Sequence, residues 1–249
     1  MNARLEPSLS RFSARLFVVF LALAVWAFWP SYFSRLFEQP NFWFHAHGVA
    51  LTLWLVMLVM QAQLIRTHRR IWHRRIGTLS YVVAPAVVVF TTIFVHQRIG
   101  GRIVDPTQLP PAALGSLALM LGSLVAFAVC FGCAIWFKRN REVHARWMVC
   151  TLFPLVTPVS DRLIATHSPS VIGVLPQTGG GQSLPIVGFL AADLILVALA
   201  VWDWRVNRRR DVFLAALGVL LAYHVGTLTL HRVPLWSAFC TWFLELPLP

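Results

Sequence analysis

Seven apolar stretches alternate along the chain with short polar connections: Leu16 to Leu36, Phe42 to Ile65, Gly77 to Val95, Ala112 to Phe137, Val143 to Ile164, Leu184 to Trp204 and Val212 to Leu230. Each has about the 20 residues that a helix needs to cross a hydrocarbon core of about 30 Å. The pattern predicts an all-α fold, a polytopic bundle of seven transmembrane helices forming a single domain over 1–249. The first run follows Arg4, Arg11 and Arg15 as a signal peptide would, but no small-x-small cleavage site follows Trp29-Pro30. It is expected to be a retained span. The tail, 233–249, is punctuated by Pro234, Pro247 and Pro249. It is too short and broken to span and is expected to lie on the outer surface. The connection from His167 to Ser183 contains Gly179-Gly180-Gly181 and reads as a flexible loop.

Charge orients the bundle. Sixteen of the 21 basic residues fall on one side of the alternation: Arg4, Arg11, Arg15, Arg66, Arg69, Arg70, Arg74, Arg75, Lys138, Arg139, Arg141, Arg146, Arg205, Arg208, Arg209 and Arg210. Arg35, Arg98, Arg102, Arg162 and Arg232 fall on the other. Basic loops stay in the cytoplasm, so the N-terminus is expected inside, the C-terminus outside, and the protein in the cytoplasmic (inner) membrane. The net charge of +12 is thereby a topology signal and not a nucleic-acid footprint. With 58% hydrophobic and 12% charged residues, the predicted partner is the lipid bilayer. Cys130, Cys133, Cys150 and Cys240 sit mostly in apolar runs, where they pack as small side chains. A thiolate metal site from Cys130, Cys133 and Cys150 is the less economical reading.

Ionisable side chains inside these runs are the candidate chemistry, because they are expensive in lipid. His45 and His47 open the second run, two residues apart, so a regular helix points them about 200° away from one another. Gly48 after them lets a neighbour come close. Asp161 and Arg162 near the end of the fifth run, Asp193 in the sixth and His224 in the seventh share the outer half of the bundle. Asp193 is the deepest, and Arg162 is its expected ionic partner. His224 and His231, seven apart, are expected to share one face. Pro154 and Pro158 are expected to kink the fifth span beside this cluster. An inner layer holds Gln61, Gln63, His68, His73, His144 and Arg146, where interfacial hydration is the simpler explanation.

The motifs His45-x-His47-Gly48 with Trp54 and Gln61, His73-Arg-Arg-Ile-Gly77, His144-x-Arg-x-Met148, Arg162, Leu190-Ala-Ala-Asp193-Leu and Pro234-Leu-Trp236 resemble those of a family of uncharacterised bacterial seven-span membrane proteins. The resemblance covers nearly the whole chain and implies a shared fold without an activity. His224 lies outside the shared pattern. In residue types alone, the paired histidines are similar to those of b-type cytochromes and oxidase-assembly membrane proteins. That similarity implies haem b or copper/zinc held by two imidazoles from different helices, His47 with His224 or His73 with His144.

Four function classes follow. The leading one is a metal- or haem-binding redox protein, with His45, His47 and Asp193 as candidate metal ligands, Asp161, Arg162 and Gln61 in support, and a respiratory-complex or other membrane-protein partner. The second is a proton-coupled transporter or channel using Asp193 and the histidines. The third is a membrane enzyme with a histidine base, although no serine or cysteine motif accompanies it. The fourth is an accessory subunit whose polar cluster only orders helices.

Overall fold

The structure is a computed structural model that describes residues 6–38, 41–178, 181–182 and 184–249. Arg4 and the two glycines 179 and 180 of the expected flexible loop lie outside the described residues, as does the side chain of Arg11. Ten α-helices are described: α1 Glu6–Phe28, α2 Phe42–Arg66, α3 Arg70–Gly77, α4 Ser80–Gly100, α5 Pro111–Trp136, α6 Arg141–Cys150, α7 Val156–His167, α8 Pro185–Asn207, α9 Val212–Thr229 and α10 Pro234–Glu245. Six segments are long and apolar enough to cross a membrane: α2, α3 with α4, α5, α6 with α7, α8, and α9 with its following turn. They coincide with the second to seventh predicted runs. The first run supplies a shorter apolar stretch, Ser13–Phe28.

Proline chemistry accounts for the departures from the predicted boundaries. Pro30 has no amide hydrogen and disfavours helical backbone before it, so α1 stops at Phe28 instead of reaching Leu36. Pro154 sits in a 3-10 turn, Phe153–Leu155, that divides the fifth run into α6 and α7 as its prolines predict. The tail is more regular than expected, because Pro234 falls in the first turn of α10, where a missing N–H costs nothing, and Pro247 and Pro249 follow its end. The segment after α7 contains a minimal antiparallel hairpin, Gln177–Thr178 with Gly181–Gln182.

Neighbours close into a ring: α1 lies beside α2, α2 beside α4, α4 beside α5, α5 beside α9, α9 beside α8, α8 beside α7, and α7 beside α1. Within it α6 packs on α5 and α9. The α6/α7 span is accordingly the most enclosed, with 44% of its apolar window buried against 22–33% for the other five. Trp54 on α2 is fully buried, with Phe127 and Phe131 of α5 edge-on to it at 5.1 and 5.4 Å. A second core forms where Cys240, Phe243 and Leu244 of α10 cover Val95 and Ile99 of α4 and Leu114 and Leu117 of α5. Trp236 Nε1 donates to the Leu114 carbonyl at 3.1 Å, and burial pushes the Cys240 thiol up to about 12. Val82, Val125, Leu190, Leu194 and Val225 stay exposed on α4, α5, α8 and α9, as a lipid environment favours.

Candidate functional site

The histidine pair is placed by an N-cap. Asn41 Oδ1 accepts from the N–H groups of Trp43 (2.8 Å) and Phe44 (3.2 Å), which starts α2 regularly and puts His45 and His47 in its first turns. Regular helix separates them as predicted. His45 turns toward α1's end, its ring 5.9 Å from that of Tyr32. His47 turns to α4, where Nδ1 lies 3.0 Å from Thr91 Oγ1 and the ring lies flat on Phe94 at 4.4 Å. Gly48 admits a neighbour as expected, but that neighbour is the Tyr32 ring, 2.5 Å from where a Cβ would stand.

The deeper polar group lies on α7, α8 and α9. Asp193 Oδ2 is 3.1 Å from Nδ1 of His224, which is 4% exposed. Phe189, one turn before Asp193, stacks on the His224 ring at 4.0 Å. The expected Arg162–Asp193 bridge is therefore replaced by a carboxylate–imidazole pair. Arg162 is exposed and lies over the Phe28 ring of α1 at 5.8 Å. His231 also departs from expectation: it lies in the 3-10 turn after α9 and accepts from Arg232 Nε at 3.3 Å.

This group is poorly satisfied. Asp161 Oδ1, Asp193 Oδ1 and His224 Nε2 are buried and make no hydrogen bond among the described residues, and Tyr223 OH and Thr157 Oγ1 are buried with one another and Ser123 as polar company. Tyr223 adjoins His224 on α9, and its hydroxyl is near Thr157, Asp161 and Ser123. Asp161, Asp193 and His224 lie about 9, 12 and 12 Å from the same end of their spans at 1.5 Å per residue, so they share one level. Gly188 makes that level possible: a Cβ there would fall 2.7 Å from Thr157 Cα and 2.5 Å from Ser160 Oγ. With the carboxyl ionised it only accepts, so the imidazole proton is then on Nδ1 and Nε2 presents a lone pair to the interior; with the carboxyl protonated, it donates to Nδ1 instead. Such a dyad can take up and release a proton.

The other end of the bundle holds what sequence reasoning missed. Arg146 Nε and Nη2 grip Asp203 Oδ2 and Oδ1 at 2.8 and 2.6 Å, with both side chains under 5% exposed. Asn207 Nδ2 donates to Asp203 Oδ1 at 2.5 Å, and Arg146 Nη1 to the Glu142 carbonyl at 3.0 Å. The available signal was depth, since Arg146 and Asp203 stand five and four residues from the same end of their spans. Nearby, the buried Gln61 amide donates to His73 Nδ1 at 2.5 Å and its oxygen accepts from Gly77 N–H at 3.1 Å. His144 is close enough to act electrostatically on His73, and its own Nδ1 donates to the Ala134 carbonyl at 2.8 Å.

The two imidazole pairings thus differ. His73 and His144 are neighbours, whereas His47 is held by α4 and His224 by α8, each ring flat against a phenylalanine. Among the described residues no group of three or more His, Cys, Asp or Glu side chains is arranged to hold a metal ion. The set His45, His47 and Asp193 is not brought together as one site, and the four cysteines are free thiols. Comparison with known proteins adds no relative: no family model, no curated protein and no solved structure matches the chain.

Proposed function

We propose that the chain is a seven-span protein of the cytoplasmic membrane, N-terminus inside and C-terminus outside, that works as a proton-coupled channel or carrier. Asp193 and His224 are its proton-binding pair, and Asp161, Tyr223 and Thr157 continue the polar path. One observation carries the reading: Asp161 Oδ1, Asp193 Oδ1 and His224 Nε2, on α7, α8 and α9, are buried without partners at one level of an apolar bundle. A structural cluster would be selected for satisfaction, because each unpaired buried group costs about 1–3 kcal/mol. Groups that exchange protons or bind a small solute must keep capacity in reserve.

The test is proton flux in proteoliposomes loaded with a pH dye and given a potassium-diffusion potential. Wild-type protein is expected to acidify the lumen faster than empty liposomes do, and Asp193→Asn to return the rate to that of empty liposomes. Equal rates for wild type and Asp193→Asn would sink the proposal.

A second reading, haem b or copper/zinc in a redox role with a respiratory membrane partner, is favoured by the His73–His144 neighbourhood. The Ala134 carbonyl accepts from Nδ1 of His144, which leaves that ring's Nε2 lone pair free for a ligand, whereas the Gln61 amide donates to Nδ1 of His73 and so puts that ring's proton on Nε2, which ligation would have to displace. A Soret band, or stoichiometric copper, zinc or iron in purified protein, would move the function to that pair.

A further inference from the structure

α2 ends in a Schellman turn. His68 N–H donates to the Ile65 carbonyl at 3.1 Å and Arg69 N–H to the Leu64 carbonyl at 2.8 Å, with His68 in the left-handed region at φ 59°. The chain therefore turns sharply into α3, a two-turn helix wedged between the ends of α2 and α4. His73 faces inward to Gln61, while Ile71 and Trp72 stay 62% and 52% exposed and Arg74 and Arg75 are exposed beside them. The Arg75 guanidinium lies over the Trp72 ring at 5.6 Å. Arg66 and Arg69 add two exposed cations on the approach to this helix.

Among the described residues Arg66, Arg69, Arg74 and Arg75 form no ion pair, and the acids at this end whose side chains are described, Glu142, Asp203 and Asp211, are engaged by Arg146 and Arg209. The neighbouring loop adds more positive charge in Lys138, whose Nζ donates to Tyr81 Oη at 3.1 Å at the start of α4. Exposed indole and isoleucine beside unpaired guanidinium groups, at the mouth of a membrane span, match one surface in composition. The rings suit the acyl boundary and the cations the headgroup phosphates above it.

We infer that α3 and the turn before it form a binding site for the phosphates of anionic phospholipid headgroups, with Arg69, Arg74 and Arg75 as the phosphate-binding groups and Ile71 and Trp72 seated in the lipid. Guanidinium suits this role because its fork presents two donors to a phosphate. The site is separate from the Asp193–His224 pair and stands or falls without it.

The experiment measures lipid binding to the purified full chain by native mass spectrometry, with phosphatidylglycerol compared against phosphatidylcholine. The expected result is preferential retention of phosphatidylglycerol, weakened about a hundredfold in Arg69→Gln/Arg74→Gln/Arg75→Gln, from roughly fivefold per arginine. Arg35→Gln/Arg98→Gln/Arg102→Gln removes the same charge from the other end and is expected to leave binding unchanged. Equal loss in both triple variants, or equal affinity for the two lipids, would overturn the site. Full competition by inorganic phosphate would assign the arginines to a free anion and overturn the lipid as its occupant. Should the first variant fail to fold, wild-type protein still decides: binding that does not weaken with added salt contradicts a phosphate contact.

Discussion

α8 carries two carboxylates ten positions apart, and they have opposite surroundings. Asp203 receives a bidentate guanidinium from Arg146 and an amide from Asn207, so both of its oxygens are engaged. Asp193 meets one imidazole nitrogen and keeps its second oxygen buried and unpartnered. The same helix thus engages both oxygens of one carboxylate and leaves an oxygen of the other without a partner. Lipid offers no water to rescue an unpaired group, so both arrangements need a reason. At Asp203 it is attachment, since Arg146 comes from α6 and joins the enclosed central span to the outer ring. At Asp193 attachment is an insufficient reason, because a pair meant only to hold helices has no use for spare acceptors.

Replacing Asp203 gives the largest contrast. Asp203→Asn leaves the Arg146 cation buried without its countercharge, and is expected to cost about 3–5 kcal/mol, read as a lowered midpoint of thermal unfolding in detergent. The double variant Arg146→Met/Asp203→Leu, which removes both charges and keeps the volume, is expected to recover most of that loss. If the double variant is as unstable as the single one, the pair contributes more than mutual neutralisation and the contrast with Asp193 weakens.

What the sequence made legible follows from what lipid forbids. Spans are readable because a crossing helix has few alternatives, and Pro154 marked a true break, whereas the break at Pro30 was passed over when the first run was carried to Leu36. Depth was readable too: Asp161, Asp193 and His224 were placed in one layer and they share it. Azimuth was not. Charge complementarity favoured Arg162 as partner of Asp193, but Arg162 follows Asp161 by one residue and is turned about 100° away, onto Phe28 of α1. The vacancy fell to His224, which the motif resemblance had marked down. Arg146 was obscured by the opposite habit, that of reading charges near a span end as hydrated, and Asp203, its partner, was not singled out at all.

Gly188 tests whether the Asp193 level depends on close helix approach. Gly188→Ala would drive a methyl group toward the backbone of Thr157, which cannot swing aside as a side-chain tip can. A loss of about 1–3 kcal/mol is expected, with the proton flux reduced as α7 and α8 separate. The Asp203 end should be untouched, so adding Asp203→Asn is expected to give an additive further loss. Strong non-additivity would mean that α8 responds as one unit, and its two carboxylates could no longer be assigned separate roles.

Asp193→Asn is expected to have the smallest effect on stability and is the sharpest member of the comparison, being the same chemical change as Asp203→Asn on the same helix. The new amide oxygen can still accept from His224 Nδ1–H, so only the carboxylate charge is lost. No guanidinium is stranded, because Arg162 lies elsewhere. The expected change in stability is about 1 kcal/mol or less in either direction, measured by the same unfolding experiment, while proton flux disappears. A loss near that of Asp203→Asn would place Asp193 among the structural charges. Near-neutral stability with abolished flux is the outcome that only a proton-handling carboxylate produces.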